Sequence, residues 1–178
     1  MACLGSEKHV DDRIPSPAVE AAGEVLKGHT MVSLKYRLSV IRSRLFELLS
    51  GCYSLDDVSP MSNRPVVLNG YAVLQPDVVV ARGSLRTYAD LHPNANEAVV
   101  AIEISRPHVS SSTRLSLYAE ARIPEYWIVN LIDKSVEVYT EPTSSGYDQI
   151  HVYRQGKFVP LSFAPGKSIS VDDIVDLG

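Results

Sequence analysis

The chain has 178 residues, 45% hydrophobic and 21% charged, which suits one folded domain with a core of its own and excludes a disordered protein. A formal net charge of -4 excludes a protein that grips nucleic acid by bulk charge, because phosphate affinity comes from Lys and Arg. No apolar run reaches the ~18 residues a membrane span needs, "MACLGSEKHVDDR" lacks the order of a secretory signal, and Cys3 and Cys52 show no metal-ligand spacing, so a reduced, cytoplasmic setting is expected.

Residues 1–22 read as a loose tail with a short helical piece near 17–22, and residues 23–178 as the folded domain. The first strong element is a helix over 30–49, "TMVSLKYRLSVIRSRLFELL". Leu34, Leu38, Ile41, Leu45 and Leu48 step by four and three and so share one face. Lys35 and Arg42 flank that face on one side, Arg37 and Arg44 on the other. They read first as stems that cover the rim of the core and hold their heads in water; the alternative is a basic stripe facing phosphate. "SG" at 50–51 ends the helix.

Short strands are expected at 52–54 and 56–58, at 65–68, and at 77–82, with "SPMSNRP" and "LNG" as turns. Residues 97–104, "EAVVAIEI", form a second central strand; "VVV" and "VVAI" are continuous apolar runs, as in strands buried on both faces. A helix over 110–121 follows, capped by one of Ser110 to Ser112, with Leu115, Tyr118 and Ala119 turned inward, and "RIP" stops it. "EYWIVNL" (125–131) and "VEVYT" (136–140) make a hairpin, "YDQIHVYR" (147–154) extends it to a meander, and short turn-rich elements close the chain. This order predicts an α/β or α+β domain with a mixed central sheet and helices on its faces.

Two carboxylates stand out. Asp77 follows Pro76 at the entrance of one apolar strand, and Glu103 interrupts the next, 103 − 77 = 26 positions on. A carboxylate in such a strand must be paired, bound to metal or at a sheet edge. Two of them fixed on neighbouring strands could hold Mg²⁺, or Mn²⁺, for phosphodiester hydrolysis. The plainer readings stand beside this. Pro-Asp is a turn signal, and Glu103 could face solvent or pair with Arg106 or Arg122. His29, His92, His108 and His151 show no ligand spacing, and Trp127, Tyr118, Tyr126, Tyr139 and Tyr153 read as core or sheet-face residues.

"QPDVVV", "AIEISRP", "LSLYAEARIPEYWIVNL" and "SVEVYTEP" together resemble the PD-(D/E)XK, restriction-endonuclease-like superfamily, and within it the large group of restriction-endonuclease-like proteins abundant in cyanobacteria. "GHTMVSLKYRLSVIRSRL" is similar to that group's first long helix, so the resemblance spans about two-thirds of the chain. It implies a restriction-endonuclease-like fold and a metal-dependent endonuclease acting on DNA. It makes Asp77 and Glu103 metal ligands and catalytic residues. Ser105 falls where the wider superfamily has its lysine, and Arg114 where the closer group carries one on the following helix; Ser110 replaces an aspartate there. Arginine cannot accept a proton, but Arg114 could stabilise charge on the phosphorane. The group carries a further glutamate at its front end, for which Glu20 and Glu24 are the candidates here. The departures leave open a nuclease-fold domain without catalysis that binds nucleic acid or assembles with other molecules. A homodimer is plausible by analogy, with the hairpin 125–140 as its interface.

Overall fold

The apolar runs pair side by side, and the pairing decides which residues share a face. The computed structural model describes residues 35–52, 57–70, 72–105 and 111–176, so the tail 1–22, the first turn of the predicted helix and all but Cys52 of the strand expected at 52–54 lie outside the described residues. A helix, α1, runs through 35–50. The strands are β1 (Val58–Ser62), β2 (Val66–Val67), β3 (Val73–Leu74), β4 (Val78–Arg82), β5 (Ala98–Ile104), β6 (Glu125–Asn130), β7 (Ser135–Pro142), β8 (Tyr147–Arg154), β9 (Phe158–Pro160) and β10 (Ser168–Ser170). Two more helices are α2 (Ser111–Glu120) and α3 (Val171–Val175).

Six strands form one sheet in the order β1-β4-β5-β6-β7-β8. All its pairs are antiparallel except β5–β6, and α2 is the crossover that a parallel pair requires. This is the mixed α/β architecture expected from the sequence. β2–β3 and β9–β10 form two small separate ribbons. No helix among the described residues is long and apolar enough to cross a membrane.

Period-two alternation sorts the sheet into two faces. Val79 and Ala81 of β4, Ala101 of β5, and Tyr126 and Ile128 of β6 pack in one buried cluster with Tyr118 of α2. Val78, Val80, Ile102, Trp127 and Val129 alternate with them and are also buried, which explains the unbroken apolar runs. The α2 helix ends in a Schellman arrangement: Arg122 takes φ 61, its N–H bonds to Ala119 O at 2.9 Å, and Ile123 N–H bonds to Tyr118 O at 3.1 Å. Pro124 then keeps the chain from resuming the helix.

Several expectations need correction. "SPMSNRP" is not all turn, because Val58–Ser62 pairs with β4. Pro60 is tolerated there since β1 is an edge strand. On α1 the buried face is Leu38, Ile41, Leu45 and Leu49; Leu48 is only half-buried, because the last step is four rather than three. The basic rows also divide. Lys35 and Arg37 are exposed, Arg44 Nη1 donates to the Asp176 carbonyl, and Arg42 turns to Asp77. The hairpin 125–140 is not an exposed surface: β6 lies between β5 and β7 and most of it is buried.

Candidate active site

Register brings the two singled-out carboxylates together. Val78 pairs with Ile102 and Val79 with Ala101; one step further, the same register sets Asp77 opposite Glu103. Directly opposed positions share a face and stand ~5 Å apart at Cβ. The pair therefore closes the end of the layer that begins with Val79 and Ala101. The turn before β4 is fixed by Asn63 N–H donating to the Asp77 carbonyl at 3.0 Å.

Asp77 is 2% exposed. Its Oδ2 accepts the Ile104 N–H at 2.9 Å. Arg42 donates to Oδ1 from Nη2 at 2.7 Å and from Nε at 3.3 Å. Glu103 receives Arg114 Nη1 and the Tyr118 hydroxyl on the same oxygen, Oε1, the latter at 3.1 Å. Among the described residues its Oε2 accepts no hydrogen bond. Arg114 Nη1 also reaches the Gln75 carbonyl at 3.3 Å, so it spans the two strand ends. Of the two arginines proposed from sequence as partners of Glu103, Arg122 donates instead to the Pro142 carbonyl at 2.6 Å, and Arg106 lies outside the described residues. Glu20, Glu24 and Ser110 also lie outside them. Ser105 is half-buried at the end of β5, its N–H on the Val129 carbonyl at 2.8 Å.

Burial raises the Glu103 pKa; Arg114 pulls it back, and the neighbouring Asp77 charge adds to the rise. A carboxylate whose native pKa lies above its unfolded value destabilises the fold once ionised. Its cost is absent below the ordinary carboxylate range and appears as pH rises through the raised value. Glu103→Gln keeps a carbonyl oxygen for both donors and removes the charge. Relative to wild type, its stability should therefore be greater at neutral pH than at acid pH, where Glu103 is protonated in both folded and unfolded wild type. Urea unfolding of both proteins across pH 3–8, read by the buried Trp127, checks this; a stability difference between variant and wild type that stays flat or falls as pH rises would contradict it.

Tyr118 belongs to an aromatic cluster that adjoins the site. Its ring lies 5.0 Å from Tyr126. Tyr126 in turn lies 5.9 Å from Tyr139 and 6.4 Å from Tyr147. Burial pushes all four phenols well above their usual range, so they act as neutral donors. Tyr139 donates to Glu137 at 2.7 Å and Tyr147 to the Ile123 carbonyl at 2.8 Å, whereas the buried Tyr126 hydroxyl has no partner among the described residues. An unsatisfied buried hydroxyl costs ~1–3 kcal/mol. Tyr126→Phe should therefore raise the melting temperature by about 2–4 °C per kcal/mol recovered, while Tyr118→Phe should lower it. Equal losses from both would remove the distinction.

The donor chemistry fits a hard cation. Mg²⁺ is commonly held by one or two carboxylates and keeps several waters. Asp77 and Glu103 offer two carboxylates on one face, and among the described residues Glu103 Oε2 accepts no hydrogen bond. Among the described residues no cluster of three or more His, Cys, Asp or Glu stands ready for a metal, so protein oxygens alone would hold it weakly. The two guanidiniums oppose the fit, since Arg42 and Arg114 already balance both negative charges.

The sequence singled out Asp77, Glu103 and Arg114, and the fold places the three side by side. It gave no role to the Tyr118 hydroxyl and no partner to Arg42. The only signal for the latter was an arginine beside the apolar face of α1.

A model of the Uma2 family, described as "Putative restriction endonuclease", matches residues 24–172. The fold is similar to the crystal structure of a protein described as a putative nuclease belonging to DUF820 from Anabaena variabilis ATCC 29413. The two are 18% identical, with 78% of this chain and 80% of that one covered and a TM-score of 0.64. No curated protein matches the chain.

Proposed function

The chain belongs to the Uma2 family, and from that premise we propose that it is an endonuclease that hydrolyses DNA phosphodiester bonds at Asp77, Glu103 and Arg114, with Mg²⁺ or Mn²⁺ as cofactor. The observation that carries the reading is the register that sets Asp77 opposite Glu103, with Arg114 bonded to the second carboxylate. Asp77 and Glu103 would hold the cation. When bound, it would polarise a phosphoryl oxygen and acidify a water.

The chain's own groups set the rest. The strand ends fix both carboxylates, because Asp77 is tied to the β5 backbone through Ile104 N–H. Arg114 lies on the rim, its side chain 34% exposed, where a phosphate could reach it. A guanidinium stays protonated, so its part is to stabilise charge that develops on phosphorus oxygens and not to remove a proton. Tyr118 holds Glu103 Oε1 from below and leaves Oε2 as the open oxygen.

A second reading has one observation in its favour. Each carboxylate carries its own guanidinium, as it would in a nuclease-fold domain that has lost turnover and binds nucleic acid. One experiment separates the two. Supercoiled plasmid is incubated with wild type and Glu103→Gln in Mg²⁺, Mn²⁺ or EDTA. Metal-dependent nicking by wild type alone supports the nuclease, and the variant is expected to fold, so its silence reports chemistry. Absence of nicking together with no calorimetric Mn²⁺ binding removes the nuclease reading. A gel shift that weakens steeply with salt would then support the binding domain.

A further inference from the structure

The six-stranded sheet has two edges, β1 and β8, and they differ in kind. An unprotected edge is a template for another strand, and proteins blunt it with proline, lysine or a bulge. β1 carries Pro60 at its centre. β8, "YDQIHVYR", has no proline, glycine or lysine over its eight residues. Nearly all of it is exposed, including Ile150 at 52% and Val152 at 47%.

The order of side chains along β8 is self-complementary. Two copies related by a two-fold axis pair antiparallel, and an axis through His151 matches positions whose numbers sum to twice 151. Asp148 then opposes Arg154 of the second copy, Ile150 opposes Val152, and Gln149 opposes Tyr153. Asp148, Ile150, Val152 and Arg154 alternate onto one face. That face would carry two apolar pairs in the middle and an ion pair at each end. Directly opposed residues of these kinds stabilise a sheet, and like charges there destabilise it.

We infer that β8 is a self-association strand. Two copies of this chain join β8 to β8 in the register Asp148–Arg154, Ile150–Val152, and the two sheets become one. The interface is isologous, as closed dimers require. The inference is independent of whether the Asp77–Glu103 site cuts DNA.

Charge reversal tests the register itself. Sedimentation velocity of the full chain, from about 1 to 100 μM, is run on wild type, Asp148→Arg, Arg154→Asp and the double variant. Wild type is expected to dimerise. Each single reversal sets like charges opposite each other at both ends and should weaken the dimer about tenfold or more. The double variant restores opposite charges at every pair and should recover dimerisation. Both side chains are exposed, so circular dichroism should not move, and the melting temperature should fall only as far as dimerisation stabilises wild type. A monomeric wild type, single reversals that leave the dimer intact, or a double variant that fails to recover would each overturn the inference.

Discussion

Asp77→Ala is expected to cost about 3–5 kcal/mol of folding free energy, the size seen when one partner of a buried ion pair is removed. The reason lies in what it abandons. Asp77 is 2% exposed and its partner Arg42 19% exposed, so the guanidinium cannot reach bulk water without leaving its place on α1. The Ile104 N–H also loses its acceptor, and Ile104 is itself 2% exposed. Asp77→Asn keeps an oxygen for that N–H and should cost less. Arg42→Met with Asp77→Ala removes both charges, and the double variant should be more stable than the two single losses predict, by ~1–3 kcal/mol of coupling. Urea unfolding followed through Trp127, the one tryptophan, reads wild type, the three single variants and the double variant. A loss below about 1 kcal/mol in Asp77→Ala would show that the pair does not hold α1 to the sheet. Because a loss of that size would itself lower activity, the alanine variant cannot by itself report on chemistry; Glu103→Gln carries that test.

Much of this arrangement was open to a reader of the sequence, and the physical reasons separate what was from what was not. β8 was placed at its observed bounds, 147–154, since turn residues stand on both sides of an alternating run. The order of Asp77 and Glu103 was legible because a charge inside "VVAIEI" is costly unless it has a purpose. The facing of the two was not legible, since it depends on a register between strands with 24 residues from Val78 to Ile102. Arg42 escaped for the same reason. Its partner lies 35 positions along the chain, and nothing local in "KYRLSVIRSR" distinguishes it from Arg37 or Arg44. The strand through Pro60 was misread as a turn because a proline's tolerance depends on the strand being at an edge, a property of the whole sheet.

Arg42→Met is expected to tighten Mg²⁺ or Mn²⁺ binding about tenfold or more, the largest effect foreseen on the candidate metal site. A guanidinium 2.7 Å from Asp77 Oδ1 occupies a carboxylate oxygen that a cation would need, and it repels the incoming dication across a few ångströms of partly buried space. At an effective dielectric of ~20, charges at that range interact by several kcal/mol, far more than tenfold requires. Without metal the same substitution takes the Arg42 charge away from the buried Asp77, so Arg42→Met should melt below wild type in EDTA. Binding to the native state alone then adds stability in proportion to occupancy. Added Mn²⁺ should therefore raise the melting temperature of Arg42→Met more than that of wild type. The pairing of an EDTA deficit with a metal-dependent recovery is what places Arg42 as a competitor for the cation's position. A variant that gains no affinity in calorimetry and melts alike with and without Mn²⁺ would show that Arg42 does not compete with a cation at Asp77, and the site would then be a structural remnant of the fold.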